Sequence, residues 1–314
     1  MKKLSLTYCF LAAIMISGCL QVPKDITSVT FPEPPVEILD NEAAGMNLIN
    51  YFNILQLPSG VYRMYYSGYK ADECGPDWDN QNLYYAESSD GFNYETRGKV
   101  MDSIIEQDVF FTGDKNMPYG LVGRVRENKK FFLYMWKSKD GLEFVDKTLL
   151  LDGWHDTQCA MVPRDGRFKL YTRTWDNEHK DRKNAVAEFT PEGGLLSEVA
   201  PLAGDFLYNP AACPVDDRRD ILFPTYLNNM YKGMTDTCFF KCFVVDGMYS
   251  KEVECDLNKW VEPDERWVLA APGFVKIGGD LYLAYNTRSY SHDTPRKDDV
   301  VTKYKLIKAV IGYE

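Results

Sequence analysis

One turn motif recurs at a fixed interval and constrains this 314-residue chain more than any other feature. Ser88-Ser-Asp-Gly-Phe-Asn-Tyr94 and Ser138-Lys-Asp-Gly-Leu-Glu-Phe144 share the pattern Ser-x-Asp-Gly-apolar-x-aromatic, with Asp90 and Asp140 fifty positions apart. A weaker turn, Pro191-Glu-Gly-Gly-Leu195, follows about one period later, and Asp246-Gly247 about one more. Each closes a run rich in aromatic and β-branched residues: 82–86, 131–136, 184–189 and 239–245. Further runs at 61–66, 168–172 and 281–285 begin after turns at Pro58-Ser-Gly60, Arg164-Asp-Gly166 and Ile277-Gly-Gly279. Such side chains alternating with polar ones between Gly, Asp and Asn turns mark strands. No segment carries a helical period over a dozen residues. The chain is predicted to be all-β.

From residue 46 to 314 the interval fits about five times. Repeats of this length, each a small antiparallel sheet, predict a five-bladed β-propeller of antiparallel sheets, whose radial packing leaves few exposed edges. A β-sandwich does not explain one turn repeating at this spacing, and a right-handed β-helix needs a shorter one. WD40 and kelch signatures are absent, and the sialidase Asp-box has one more residue between Asp and Gly. The innermost strands are expected at 48–56, 107–112, 158–163, 209–214 and 268–276.

The N-terminus reads as an address. Met1-Lys2-Lys3 is followed by an apolar run from Cys9 to Ile16, too short to span a bilayer but suited to a signal-peptide core. It ends Ile16-Ser17-Gly18-Cys19, which resembles the bacterial lipobox. The expected division is a signal peptide at 1–18, a lipidated Cys19 with an extended tether at 19–45, and the propeller at 46–314. An ordinary cleaved signal with a chance cysteine is the alternative. Leu20 rather than Asp after the cysteine implies the outer membrane, facing the periplasm or the cell surface. Export puts Cys74, Cys159, Cys213, Cys238, Cys242 and Cys255 in an oxidising compartment. A hairpin turning at Asp246-Gly247 sets residue 245 across from 248 and Cys238 across from Cys255, so a Cys238–Cys255 disulfide is predicted.

Lys+Arg 36 against Asp+Glu 46 gives a net charge of −10, no footprint for phosphate backbones, so no nucleic-acid partner is expected. Three histidines and no Cys-x-x-Cys argue against a metal site, and no cofactor is implied. The protein is expected to be a monomer, touching membrane through its N-terminal lipid alone.

Tyr62-Arg-Met-Tyr-Tyr-Ser-Gly68 and Tyr84-Tyr-Ala-Glu-Ser-Ser-Asp-Gly91 resemble the first blade of the five-bladed glycosidase superfamily of β-fructosidases, arabinanases and β-xylosidases. Trp154-His-Asp-Thr-Gln-Cys-Ala160, Leu207-Tyr-Asn-Pro-Ala-Ala212, Ile221-Leu-Phe-Pro-Thr-Tyr226 and Ala271-Pro-Gly-Phe-Val275 resemble an uncharacterised bacterial branch of it. The resemblance implies an exported glycoside hydrolase acting on oligo- or polysaccharide, with a base or nucleophile in blade 1, a tuning Asp in blade 2 and an acid Glu in blade 3. This sequence departs from that pattern, with Asn53 in blade 1 and Asp156 in blade 3.

Starting positions of the inner strands read Asn53, Glu106, Asp156 and Asn209, and alternation sets Asp108 on the same face as Glu106. Glycoside cleavage needs two carboxyls flanking the scissile bond, so Asp156, Glu106 and Asp108 are the catalytic candidates. Asp40, just upstream, is a further source of the missing acid. Arg173, Tyr208, Asn209, Asn53, His292 and Trp175 are candidates for binding sugar. A non-catalytic glycan-binding propeller is the alternative, and Asn53 is its support.

Overall fold

A computed structural model describes residues 24–70, 81–152, 160–164, 166–176, 181–202, 212–223, 225–227, 238–247, 249–260, 273–290 and 300–314. Almost every element is a strand; the exception among the described residues is a 3₁₀ turn at Leu257–Trp260. β1 (Ile26–Thr30) and β2 (Val36–Asp40) precede five consecutive strand groups. Unit one holds β3 (Leu48–Gln56), β4 (Tyr62–Tyr69), β5 (Asn82–Ser88) and β6 (Glu95–Met101). Unit two holds β7 (Ile105–Phe111), β8 (Tyr119–Glu127), β9 (Lys130–Ser138) and β10 (Phe144–Asp152). Unit three holds β11 (Ala160–Arg164), β12 (Arg167–Asp176), β13 (Asp181–Phe189) and β14 (Ala200–Pro201). Unit four holds β15 (Ala212–Pro214), β16 (Arg219–Leu222), the small pair β17 (Thr225–Leu227) and β18 (Cys238–Phe240), then β19 (Cys242–Asp246) and β20 (Tyr249–Cys255). Unit five holds β21 (Gly273–Ile277), β22 (Asp280–Tyr290) and β23 (Val300–Tyr313).

The units close on themselves. The first strands neighbour one another in a cycle, β3 beside β7, β7 beside β11, β11 beside β15, β15 beside β21 and β21 beside β3. Between successive units lie five apolar cores. Tyr65, Leu83, Val109 and Trp136 fill the first, Phe110, Met161 and Phe168 the second, and Val162, Tyr171, Leu222 and Phe243 the third. Phe223, Cys242, Leu283 and Tyr285 fill the fourth, and Phe52, Tyr66, Val275 and Tyr304 join unit five back to unit one. Phe52 and Tyr304 stack there at 3.9 Å between ring centroids. Apolar burial between sheets, rather than any single bond, therefore holds the ring.

The repeated turn has a structural explanation. Ser88 Oγ accepts from Gly91 N at 2.9 Å, and Asp90 Oδ1 accepts from Phe92 N at 2.8 Å and Asn93 N at 2.9 Å. Ser138 and Asp140 do the same for Gly141, Leu142 and Glu143. One Ser and one Asp thus satisfy the backbone donors of a tight bend. These N–H donors, Asn93's first, hold the Asp90 carboxyl well below the usual carboxylate range. Gly141 adopts φ 75°, and a Cβ there would lie 2.5 Å from Tyr65 Oη. Tyr65 Oη donates to Gly141 O at 2.9 Å, and Arg63 Nη1 donates to Asp140 O at 2.9 Å, so unit one grips the turn of unit two. Gly91 packs against Ile277 of unit five in the same manner.

Two expectations are overturned. The described part of the expected tether at 19–45 contains two strands that seal the ring. β1 pairs parallel with β20 and antiparallel with β23, and β2 pairs with β23, fusing units four and five into one nine-stranded sheet. Trp260 Nε1 donates to Phe31 O at 2.8 Å, and Asp256 Oδ1 accepts from Phe31 N at 2.8 Å, latching this segment. Pro32, Pro34 and Pro35 lie between β1 and β2, outside their ladders. The Cys238–Cys255 disulfide is also absent: Cys255 is a free thiol. Asp246 pairs with Tyr249, so the hairpin loop sits one position later than expected, with Gly247 at φ 62° as its first residue. The ladder ends at Cys242↔Val253, and Cys238 pairs instead with Leu227 in the separate β17–β18 sheet.

Candidate active site at the head of the inner strands

β3 and β7 begin at the same end of the ring, opposite the Ser-Asp-Gly turns, and both open with a β-bulge. Register shifts between Ile49 and Phe52 in β3 and between Ile105 and Asp108 in β7. Glu106, inside the second bulge, has φ 54°, a conformation a non-glycine residue rarely adopts. This breaks the alternation expected from sequence. Glu106 turns toward unit one and its own sheet, whereas Asp108 turns toward unit three.

Glu106 is buried, at 3% exposure. Tyr51 Oη donates to its Oε1 at 3.1 Å, and Arg124 Nε lies 2.8 Å from Oε2, an ion pair whose atoms are not aligned as a hydrogen bond. Arg124 also stacks over Phe131, 4.3 Å from the ring centroid. The ion pair and the Tyr51 hydrogen bond hold this carboxyl in place between unit one and its own sheet.

Asp108 has the opposite surroundings. Its Oδ2 accepts from Met161 N of β11 at 2.9 Å. The residue is half-buried, and protein encloses the carboxyl closely enough for burial to push it up to about 8, against the downward pull of the Met161 and Val109 N–H donors. Among the described residues no cation offsets that burial. At neutral pH Asp108 is therefore mostly a neutral acid.

Asn53 is committed to structure. Its Nδ2 donates to Val109 O at 2.6 Å and its Oδ1 accepts from Val109 N at 3.3 Å, tying β3 to β7. Gln107 adds a second tie, donating to Tyr51 O at 2.8 Å while accepting from Ser67 Oγ. Asp40 does not supply the acid that Asn53 lacks, because its Oδ1 caps a turn by accepting from Ala43 N at 2.7 Å.

The structure thus brings Asn53, Glu106 and Asp108 together at adjoining inner strands. Arg173 and Trp175 lie on β12, their side chains outside the described residues. Asp156, Tyr208, Asn209, His292 and Cys19 also fall outside the described residues. Tyr51, Gln107 and Arg124 escaped the sequence reading. Arg124 had a signal: a charge inside the apolar run of β8 requires a buried partner. Among the described residues no three His, Cys, Asp or Glu side chains gather to hold a metal ion.

No protein-family model matches the chain, and no curated protein is a significant sequence match. Solved structures do match. A thermostable family-43 glycoside hydrolase superposes with a TM-score of 0.62 at 12% identity, over 89% of this chain and 95% of that one. An α-L-arabinofuranosidase from Podospora anserina, solved with cellotriose, gives 0.62 at 12% identity, over 91% and 97%. The Bombyx mori GH32 β-fructofuranosidase gives 0.61 at 14% identity, over 90% of this chain and 65% of that one. The chain has the fold of the β-propeller glycosidases. Its fold matches β-fructofuranosidase and β-xylosidase structures, two of the kinds anticipated from its first-blade residues, and arabinofuranosidases as well.

Proposed function

We propose that this protein is an exported, lipid-anchored glycoside hydrolase with five blades, acting on oligo- or polysaccharide at the head of its inner strands. The observation that carries the reading is the contrast between Glu106, ion-paired with Arg124, and Asp108, whose carboxyl burial pushes up to about 8. Carboxyls whose surroundings drive their proton affinities apart are how one site runs acid and base steps together. Asp108 donates its proton to the departing glycosidic oxygen. Asp156 of the third unit serves as base or nucleophile, and Glu106 positions Tyr51 beside them. Arg173, Trp175, Tyr208, Asn209 and His292 contact the sugar. Cys19 carries the anchor at the outer membrane.

A second reading, a glycan-binding propeller without turnover, is favoured by one observation: Asn53 is spent on Val109, leaving unit one without a described free carboxylate at this end. Panels of aryl glycosides and oligosaccharides, assayed for hydrolysis and for binding, separate the two. Asp108→Asn and Asp156→Asn should each lower turnover by about 10²-fold or more while sugar affinity persists. Unchanged turnover in Asp108→Asn removes the acid role, and wild-type binding without hydrolysis selects the second reading.

A further inference from the structure

We propose that the face carrying the repeat turns lies against the lipid bilayer, so that the end bearing Glu106 and Asp108 opens away from the membrane. This rests on the reading of Cys19 as lipid-modified. The described chain begins at that face. Ile26 pairs with Tyr313 at the end of β23, and Asp25 O accepts from Glu314 N at 2.9 Å. Arg219 Nη1 donates to Lys24 O at 2.9 Å, and Arg219 itself pairs with Asp246 beside the Gly247 turn.

Reach then decides the orientation. The five steps from Cys19 to Lys24 span at most about 18 Å when fully extended. A nine-residue strand such as β8 is about 30 Å long. The segment is too short to lead from the turn face round to the opposite end, so a bilayer holding the acyl chains meets the turn face first.

The composition of that face agrees. Phe111, Tyr249 and Tyr313 sit at the turn ends of their strands, and Leu195 and Leu196 lie in the turn segment after β13; they are 37%, 84%, 48%, 50% and 50% exposed. Apolar and tyrosine side chains of this kind settle at the level of lipid headgroups. Asp90, Asp140 and Glu192 share the face, so contact is driven by acyl chains and apolar surface rather than by attraction to anionic lipid.

The test uses the full-length chain, processed in a lipoprotein-competent bacterium and reconstituted in phosphatidylethanolamine vesicles containing nitroxide-labelled lipid. A fluorescent amino acid replaces Lys139 at the turn face or Lys130 at the opposite end, both exposed. Quenching at 139 should exceed that at 130 by about threefold or more, given the ~30 Å between the two ends. Equal or reversed quenching in a membrane-bound protein overturns the orientation and leaves the anchor standing. A Cys19→Ser chain that stays with the membrane as wild type does overturns the anchor reading, and the orientation with it.

Discussion

Replacing Asp108 with Asn should make the protein more stable, and increasingly so as pH rises. Asn retains an oxygen to accept from Met161 N, so the β7–β11 bond survives while the ionisable group is lost. The folded-state value, about 8, lies above that of the unfolded chain, near the ordinary 3.8. A group raised in this direction gives stability that is fully present below about 4 and is lost as pH climbs through about 8. Each pH unit inside that window costs the wild type at most about 1.4 kcal/mol. Between pH 5 and pH 8 the ceiling is about 4 kcal/mol, and partial solvent access to the side chain reduces the expectation to about 2 kcal/mol. Urea unfolding of wild type and Asp108→Asn in parallel at pH 5, 6.5 and 8 measures this directly, because other titrating groups cancel in the difference. A gap between the two that stays flat with pH, or that widens in favour of the wild type toward alkaline pH, would refute the claim that Asp108 is held protonated by burial.

Two further outcomes concern the ring itself. Gly141→Ala should cost more than Gly60→Ala: both glycines have positive φ, worth about 1–2 kcal/mol in each, but only the Gly141 methyl would collide with Tyr65 Oη. Denaturant midpoints that coincide for the two variants would show that the turn is not clamped by unit one. Asp220 is fully buried and binds Arg164, Lys169 Nζ at 2.8 Å and Tyr171, so it joins unit four to unit three through a single carboxylate. Asp220→Asn should destabilise by about 3–5 kcal/mol, since the buried Lys169 and the partly buried Arg164 lose their counter-charge; a loss below about 1 kcal/mol in thermal or urea unfolding would show that water already screens the cluster.

The inner strand Leu48–Gln56 was readable to the residue and the next, expected at 107–112, runs Ile105–Phe111, while the expected starts at 158, 209 and 268 lie outside the described residues. Their alternation and their bounding turns are local properties of the chain. The candidate site was less legible. Glu106 and Asp108 were named, but their roles were indistinguishable because a bulge moves one side chain to a different neighbour without leaving a sequence mark. Asn53 looked like a lost acid, and only its pairing with Val109 reveals what it does. The Cys238–Cys255 pairing failed because a hairpin loop one position off changes every facing pair beyond it.

What the sequence determined alone was the unit and its repetition. Ser-x-Asp-Gly satisfies its own backbone donors within a few residues, so the turn forms wherever it is written. What tertiary structure decided was closure and charge state. β1 finds β20 and β23 across more than two hundred residues of chain, a pairing that no local pattern encodes. Asp108 and Glu106 are both ordinary carboxylic acids in the sequence. An arginine faces one, and burial pushes the other's carboxyl up, and those surroundings exist only once the sheets have packed.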